Sequence, residues 1–171
     1  SIQHGTSFFY PPSVMGAHVS VCPNQQTGRT VSIDTRAALA YYGTFGYELD
    51  PNELTDDEKE AVKHQIQYYQ AHALTSAFGR YYRLTDVGHE FVAFMSVAED
   101  QKSAVFSFVQ LRSSANKGII YIRLRGLDEN AVYRIPELGL ELTGASLMYA
   151  GLPMPVIKAD NGAKTFTLLQ K

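Results

Sequence analysis

The sequence predicts an α/β half over residues 1–79, followed by an all-β half over residues 80–171. Strand-like and helix-like patterns alternate in the first half, whereas the second half holds short strand-like segments separated by turns. Gly79 stands between the two patterns. A length of 171 residues fits one domain, or one domain and part of a second. The predicted fold class is therefore α/β followed by all-β, with a domain boundary after residue 79.

Two strands and two helices account for the first half. Residues 14–22 are short, apolar and bounded by proline or polar residues, which predicts a buried strand. Ser32 can cap a helix that continues to Tyr42, and Gly43 can end it. Residues 44–49 form the second predicted strand.

The second helix has a clear signature at its start. Thr55 and Glu58 fit a capping box, in which the hydroxyl and the carboxylate each satisfy a free backbone amide. Val62 and Ile66 then begin an apolar stripe at helical spacing. The order strand, helix, strand, helix predicts parallel strands joined by helical crossovers. Because two parallel strands are unstable without neighbours, we expect the first half to belong to a larger sheet.

The second half is predicted to be an antiparallel sandwich or a curled sheet, because its strand-like segments follow one another closely. The predicted strands are residues 81–84, 90–97, 104–111, 118–124, 132–135 and 164–169. One turn is predicted at residues 86–88 and one helical turn at residues 146–150.

Composition and charge exclude several classes of function. The formal net charge is −2 and the pI is about 6.2, which argues against a nucleic-acid binder with a strongly basic face. No stretch approaches the roughly 18 apolar residues of a membrane-spanning helix. Cys22 is the single cysteine, so an internal disulfide is excluded and a reducing compartment is expected. With no secretory signal pattern at its start, the chain is predicted to be cytoplasmic.

A polar loop after the first predicted strand holds the candidate binding residues. Asn24, Gln25 and Arg29 suit a ligand rich in hydroxyl groups, and His18 lies on the strand before them. In α/β barrels, functional loops follow the carboxyl ends of the strands. The alternative is that this loop only shapes or supports a pocket.

Signatures of metal and cofactor sites are missing from the sequence. His18 and Cys22 share a face of the predicted strand, but two ligands do not make a zinc site. No phosphate-binding loop or dinucleotide fingerprint occurs. We therefore predict neither a metal nor a cofactor.

Several ordered segments resemble the end of the α-galactosidases of glycoside hydrolase family 36. The specific ones are Met-Gly-Ala-His-Val-Ser at residues 15–20, Pro-Asn-Gln-Gln-Thr-Gly-Arg at residues 23–29 and Gly-Thr-Phe-Gly-Tyr-Glu-Leu-Asp at residues 43–50. Residues 79–84 and 147–153 are similar to the C-terminal β domain of that family. The resemblance implies the last two βα units of a (β/α)8 barrel, roughly its seventh and eighth strands, and then a C-terminal antiparallel β-sandwich domain.

The resemblance also implies a reaction. Such enzymes cleave terminal α-galactosyl groups, as in melibiose and raffinose, with retention at the anomeric carbon. Retention uses two carboxyl groups about 5–5.5 Å apart, and in this family both belong to Asp residues in motifs that this sequence lacks. Asp34 and Asp50 lie nearest to strand ends, but neither matches a catalytic position. The chain is therefore predicted to contain no catalytic residue and to be inactive by itself, while its parent enzyme binds α-galactoside oligosaccharides.

Two other functions compete with this interpretation for the β half. It could be a carbohydrate-binding module, for which Tyr81, Tyr82 and Tyr133 are the candidate aromatic platform. It could instead be a structural module that braces the barrel and supports a homo-oligomer.

Overall fold

The computed structural model describes residues 2–85, 90–116 and 118–171, so the predicted turn at residues 86–88 lies outside its described part. The α-helices in this part are α1 (Ile2–Thr6), α2 (Ile33–Ala40) and α3 (Asp56–Phe78). The strands are β1 (Gly16–Ser20), β2 (Thr44–Glu48), β3 (Arg80–Arg83), β4 (Phe91–Val97), β5 (Ser103–Gln110), β6 (Tyr121–Ile122), β7 (Val132–Ile135), β8 (Leu140–Thr143), β9 (Leu152–Pro153) and β10 (Gly162–Gln170). Short 3-10 turns cover Pro12–Val14, Pro51–Glu53 and Pro136–Leu138, and a π-helical turn covers Ser146–Ala150.

The first half has the predicted strand and helix order. β1 and β2 pair in parallel, with Gly16 opposite Thr44 and Ser20 opposite Glu48. The α2 helix makes the crossover between them, and α3 follows β2. Within the described ranges each of these two strands pairs only with the other.

Local capping explains where the helices begin. The Thr55 hydroxyl accepts a hydrogen bond from the Glu58 amide at 3.3 Å, while the Glu58 carboxylate accepts one from the Thr55 amide at 3.1 Å. The predicted capping box is therefore confirmed. The Ser32 hydroxyl caps α2, which ends at Ala40 and not at Tyr42 as predicted.

The second half is built around one antiparallel sheet. In the described part of the chain its strand order is β3-β4-β5-β10-β7-β8. Five predicted strands appear as β3, β4, β5, β7 and β10, and the helical turn at residues 146–150 is also present. The predicted strand at residues 118–124 shrinks to β6, which pairs with β9 in a separate ribbon. Neither β8 nor β9 was predicted, because β8 is largely exposed and β9 has two residues, one of them proline.

The two faces of this sheet belong to different cores. Met95, Phe106 and Phe166 pack on one face with Leu147 and Leu152, beneath the β6–β9 ribbon and the π-helical turn. The predicted sandwich is thus present with a small second layer. The opposite face, which includes Phe94, Val105 and Val109, packs together with Ala37 and Tyr42 of the first half.

Hydroxyl groups line the contact between α3 and the sheet. The Tyr68 hydroxyl lies 3.0 Å from the Thr167 hydroxyl, and the Thr75 hydroxyl lies 2.7 Å from the Ser103 hydroxyl. Because hydrogen bonds are directional, these pairs set the position of the helix on the sheet more narrowly than apolar contacts do.

The division into two domains after residue 79 stays a prediction.

Candidate functional site at the carboxyl ends of β1 and β2

Alternation along β1 and β2 gives this strand pair one buried and one open face. Ala17 and Val19 are almost completely buried against α2 and its surroundings. The other face carries small or polar residues from both strands. These are Gly16, His18 and Ser20 on β1 and Thr44, Gly46 and Glu48 on β2. The inward faces of packed barrels are dominated by bulky branched side chains. Small and polar residues take their place on this face, so it is suited to a polar environment.

His18 lies in the middle of the open face. It is exposed, and its register partner is Gly46. A Cβ atom added to Gly46 would lie 3.1 Å from Cδ2 of the His18 ring. The glycine therefore leaves room for the imidazole across the strand pair.

The loop after β1 is folded tightly on itself. The Asn24 amide donates to the Arg29 carbonyl oxygen at 2.9 Å, and the Gly28 amide donates to the Asn24 carbonyl oxygen at 2.8 Å. Oδ1 of Asn24 accepts hydrogen bonds from the backbone amides of Gln26 and Thr27, at 3.2 and 3.0 Å. Gly28 has a positive φ of 65°, which favours glycine there. Asn24 thus builds the loop. Of its side-chain atoms, only Nδ2 is left to donate a hydrogen bond to a ligand.

Gln25 and Arg29 are the available donors of this loop. Both are exposed, and neither side chain has a hydrogen bond or ion pair to another described residue. The structure therefore brings Asn24, Gln25 and Arg29 into one compact turn at the carboxyl end of β1, with His18 on the strand below. Their role in substrate binding stays a prediction.

The two aspartates near the strand ends, Asp34 and Asp50, have structural partners. Oδ1 of Asp50 accepts hydrogen bonds from the backbone amide and the side chain of Asn52, at 2.8 and 2.9 Å. Oδ1 of Asp34 accepts a hydrogen bond from Nε2 of the Gln65 side chain at 3.0 Å. Oε1 of Gln65 in turn accepts one from the Tyr47 hydroxyl at 3.0 Å. Burial raises the pKa of Tyr47 to about 12. Both aspartates therefore serve the local structure, and that neither is catalytic stays a prediction.

Sequence reasoning missed two residues at this edge. Glu48 ends β2 on the open face, where counting alternate positions back from Gly46 and His18 would have placed it. Arg36 donates from Nη1 to the carbonyl oxygen of Ser20 at the end of β1. No sequence signal predicts that contact, because it joins residues from two different elements.

The proposed aromatic platform of the β half is wrong for Tyr133, which is completely buried. Its hydroxyl accepts from the Asp128 amide at 3.0 Å and donates to the Gln101 carbonyl oxygen at 2.7 Å. Tyr81 packs edge-on against Tyr42, and the Tyr82 ring covers Gly126 closely. Tyr81 and Tyr82 are therefore each in contact with a neighbouring residue of the chain.

Among residues 2–85, 90–116 and 118–171, no three His, Cys, Asp or Glu side chains are grouped so that they could hold a metal ion. In the same ranges no helix combines the length and apolarity needed to cross a bilayer.

Comparison with known proteins identifies the family of this fold and loop. Residues 1–79 match the family model described as Melibiase, and residues 91–168 match that of the glycosyl hydrolase family 36 C-terminal domain. The chain is 46% identical over 170 residues to the bifunctional α-galactosidase/sucrose kinase AgaSK of Mediterraneibacter gnavus, covering 99% of this chain and 18% of that protein. It is 44% identical over 161 residues to the α-galactosidase AgaA of Geobacillus stearothermophilus, covering 93% of this chain and 22% of that protein. The chain thus spans about a fifth of the length of these relatives.

Solved structures agree with these matches. The galactosidase domain of AgaSK superposes with a TM-score of 0.95 at 46% identity, covering 99% of this chain and 24% of that one. The family 36 α-galactosidase AgaA superposes with a TM-score of 0.95 at 40% identity over the same shares. These matches confirm the predicted fold class, the end of a barrel followed by a C-terminal β domain. The chain belongs to glycoside hydrolase family 36 and corresponds to a C-terminal portion of its α-galactosidases.

Proposed function

We propose that this chain is part of an α-galactosidase that hydrolyses terminal α-galactosyl residues of oligosaccharides with retention, and that the 171-residue chain is inactive by itself. The observation that carries the proposal is the fold match at a TM-score of 0.95 to family 36 α-galactosidases, together with both family models. In the parent enzyme β1 and β2 would continue into the remaining strands of the barrel.

The carboxylates of this chain support the second part of the proposal. A retaining glycosidase needs a nucleophile and an acid/base about 5–5.5 Å apart across the scissile bond. Asp34 and Asp50 have structural partners. The Glu48 side chain, at the end of β2, has no hydrogen bond or ion pair to another described residue. Because this sequence lacks the motifs in which the family places its two catalytic Asp residues, the reacting acids would come from other parts of the parent enzyme.

Oligosaccharides of the raffinose type are the proposed substrates. Structures of AgaA variants from Geobacillus stearothermophilus were solved in complex with raffinose and with stachyose. In this chain, the free donors of Gln25 and Arg29 suit the hydroxyl groups of such sugars.

The activity is tested with the full-length enzyme that contains this chain. We expect it to release galactose from melibiose and raffinose, and NMR of the early product to show α-galactose before mutarotation. A full-length enzyme that leaves both sugars intact, or releases β-galactose first, would refute the proposed activity or its stereochemistry.

The loop residues are tested in the same enzyme. Gln25→Ala and Arg29→Ala should each raise the KM for raffinose about three- to tenfold, the value of roughly one hydrogen bond, without lowering the melting temperature. Glu53→Ala, on the exposed turn after β2, serves as the control and should leave that KM unchanged. An unchanged KM in both loop variants would assign the loop to pocket support only.

The β half is proposed to brace the barrel. Its sheet packs against the first half through Phe94, Val105 and Val109, and the hydroxyl pairs of α3 reinforce the contact. Removing residues 80–171 from the parent enzyme should therefore lower its stability. A truncated enzyme that keeps its melting temperature would contradict this role.

The parent enzyme is also proposed to be a cytoplasmic homo-oligomer. Cys22, the single cysteine of this chain, suits a reducing compartment. Exposed apolar side chains such as Phe9, Leu74 and Val156 would be available to an interface between copies. Light scattering of the full-length enzyme tests the assembly, and a monomer at micromolar concentration would contradict it.

A further inference from the structure

Arg36 connects three elements beneath the candidate site. It lies in the first half of α2, and its Nη1 donates to the carbonyl oxygen of Ser20, the last residue of β1. Its Nη2 lies 4.0 Å from Oε1 of Glu58 at the start of α3. The side chain is only 14% exposed, so this is a largely buried cation held between the end of β1 and the start of α3.

Glu58 links this contact to Thr55. The other oxygen of the same carboxylate, Oε2, accepts from the backbone amide and the hydroxyl of Thr55, at 3.1 and 3.2 Å. Thr55 closes the loop that follows β2. One guanidinium therefore connects the end of β1 with the end of the loop after β2.

The loop of residues 24–29 follows this anchor along the chain. The Val21 amide donates to the Glu48 carbonyl oxygen at 3.0 Å, which joins the residue directly after β1 to the end of β2. Asn24 then holds the turn internally. Because the loop is stiff, a shift of its base at Ser20 would move Gln25 and Arg29 as a unit.

Small displacements at such a position are costly. Loops at the carboxyl ends of barrel strands surround the substrate, and a misplacement of about 1 Å in a positioning group can cost up to about 100-fold in rate. The reacting galactosyl group would be held by other parts of the enzyme. On the proposed function, the loop donors would then act on the sugars beyond the scissile bond.

We propose that Arg36 is a positioning residue, which sets the loop of residues 24–29 so that Gln25 and Arg29 bind the saccharide beyond the scissile bond. This rests on the proposed α-galactosidase function. It assigns to Arg36 an effect on substrate preference in addition to its effect on stability.

The test compares two substrates in the full-length enzyme. Raffinose has hydroxyl groups beyond the scissile bond, whereas p-nitrophenyl α-galactoside has none there. Arg36→Met should lower kcat/KM for raffinose about tenfold or more while changing that for the aryl galactoside about twofold. For Arg36→Lys, the ratio of kcat/KM for raffinose to kcat/KM for the aryl galactoside should lie between those of the wild type and Arg36→Met. An ammonium can reach Ser20 but cannot bridge to Glu58 as a planar guanidinium does.

Arg83→Met is the matched control. Arg83 is also partly buried, donates from Nε to the Ser7 hydroxyl at 3.0 Å and stacks over Phe8 at 4.2 Å, far along the chain from the strand ends. Its loss should change the stability of the enzyme without changing the ratio of kcat/KM for raffinose to kcat/KM for the aryl galactoside. If Arg36→Met does not fold, Glu58→Gln decides, because glutamine keeps the capping box but removes the charge facing Arg36.

Equal losses for both substrates, or no loss, in the Arg36 and Glu58 variants would overturn the proposal. Wild-type turnover of melibiose reports separately on the proposed function, since that result does not depend on Arg36.

Discussion

The hydroxyl of Tyr42, just beyond the end of α2, donates a 3.0 Å hydrogen bond to the carbonyl oxygen of Val105 on β5. The Ser107 hydroxyl lies 3.2 Å from the same oxygen atom of Tyr42. Tyr42 is buried, and its ring packs edge-on against Phe94 at 4.8 Å between centroids. This side chain therefore joins the barrel-like half to the central strands of the β sheet by a directional bond.

Removing that hydroxyl should destabilise the chain. Tyr42→Phe keeps the ring packing but leaves buried acceptors without their donor, at a cost of about 1–2 kcal/mol in the free energy of unfolding. Urea unfolding measures the change. Tyr121→Phe, at an exposed position, is the matched control and should be neutral. Equal stabilities for both variants would show that the bond contributes nothing.

Alkaline pH should destabilise the folded chain through its buried tyrosines. Burial raises the pKa of Tyr47 and of Tyr81 to about 12, and raises that of Tyr42 well above its ordinary value of 10. Between pH 10 and 12 the unfolded chain loses these phenolic protons while the folded chain keeps them. The folded state then binds more protons, so stability is complete below pH 10 and falls as the pH rises.

Urea midpoints over this pH range test the alkaline effect. Tyr47→Phe should make the decline shallower, whereas Tyr10→Phe, at an exposed position, should not. A urea midpoint that stays constant to pH 12 would contradict the raised pKa values.

Gly43 should tolerate no side chain. A Cβ atom there would lie 2.5 Å from the Met15 carbonyl oxygen and 2.8 Å from Cβ of Ala17. Gly43→Ala must therefore displace the backbone at the start of β1, at a cost of about 1–3 kcal/mol. In Gly118→Ala the new methyl group meets no atom within 4 Å, and its stability should change by less than about 0.5 kcal/mol. Thermal unfolding of both variants separates these outcomes, and a neutral Gly43→Ala would refute the close approach.

Asn24 should control the order of its loop. Asn24→Ala removes the acceptor of the Gln26 and Thr27 amides, so hydrogen exchange at both amides should accelerate about tenfold or more, as expected for a local opening made easier by roughly one hydrogen bond. Gln25→Ala, which removes no such bond, should leave exchange unchanged. Identical exchange in the two variants would mean that the loop does not depend on Asn24.

Local signals along the chain predicted the first half well. Thr55 and Glu58 are three residues apart, so their capping box is visible in the sequence and formed as expected. The parallel pairing of β1 and β2 follows from the order of strands and helices. These features depend on neighbouring residues or on chain order, which a single sequence contains.

Contacts between distant residues could not be predicted in the same way. Alternation in β7 turns Tyr133 and Ile135 inward and Val132 and Arg134 outward, and the sequence does not say which pair faces the core. A polar loop after the first strand was predicted, but the use of Asn24 within that loop depends on a turn geometry that composition does not encode. Arg36 reaches Ser20 only because α2 packs back on β1.

The most direct test of the account measures the hydrolysis of p-nitrophenyl α-galactoside by the purified 171-residue chain and by the full-length enzyme at equal molar concentration. We predict steady turnover by the full-length enzyme and none by the 171-residue chain, because the proposed function places the reacting carboxylates elsewhere in the parent enzyme. Steady release of p-nitrophenol by the 171-residue chain, lost when Glu48 is changed to Gln, would contradict the account.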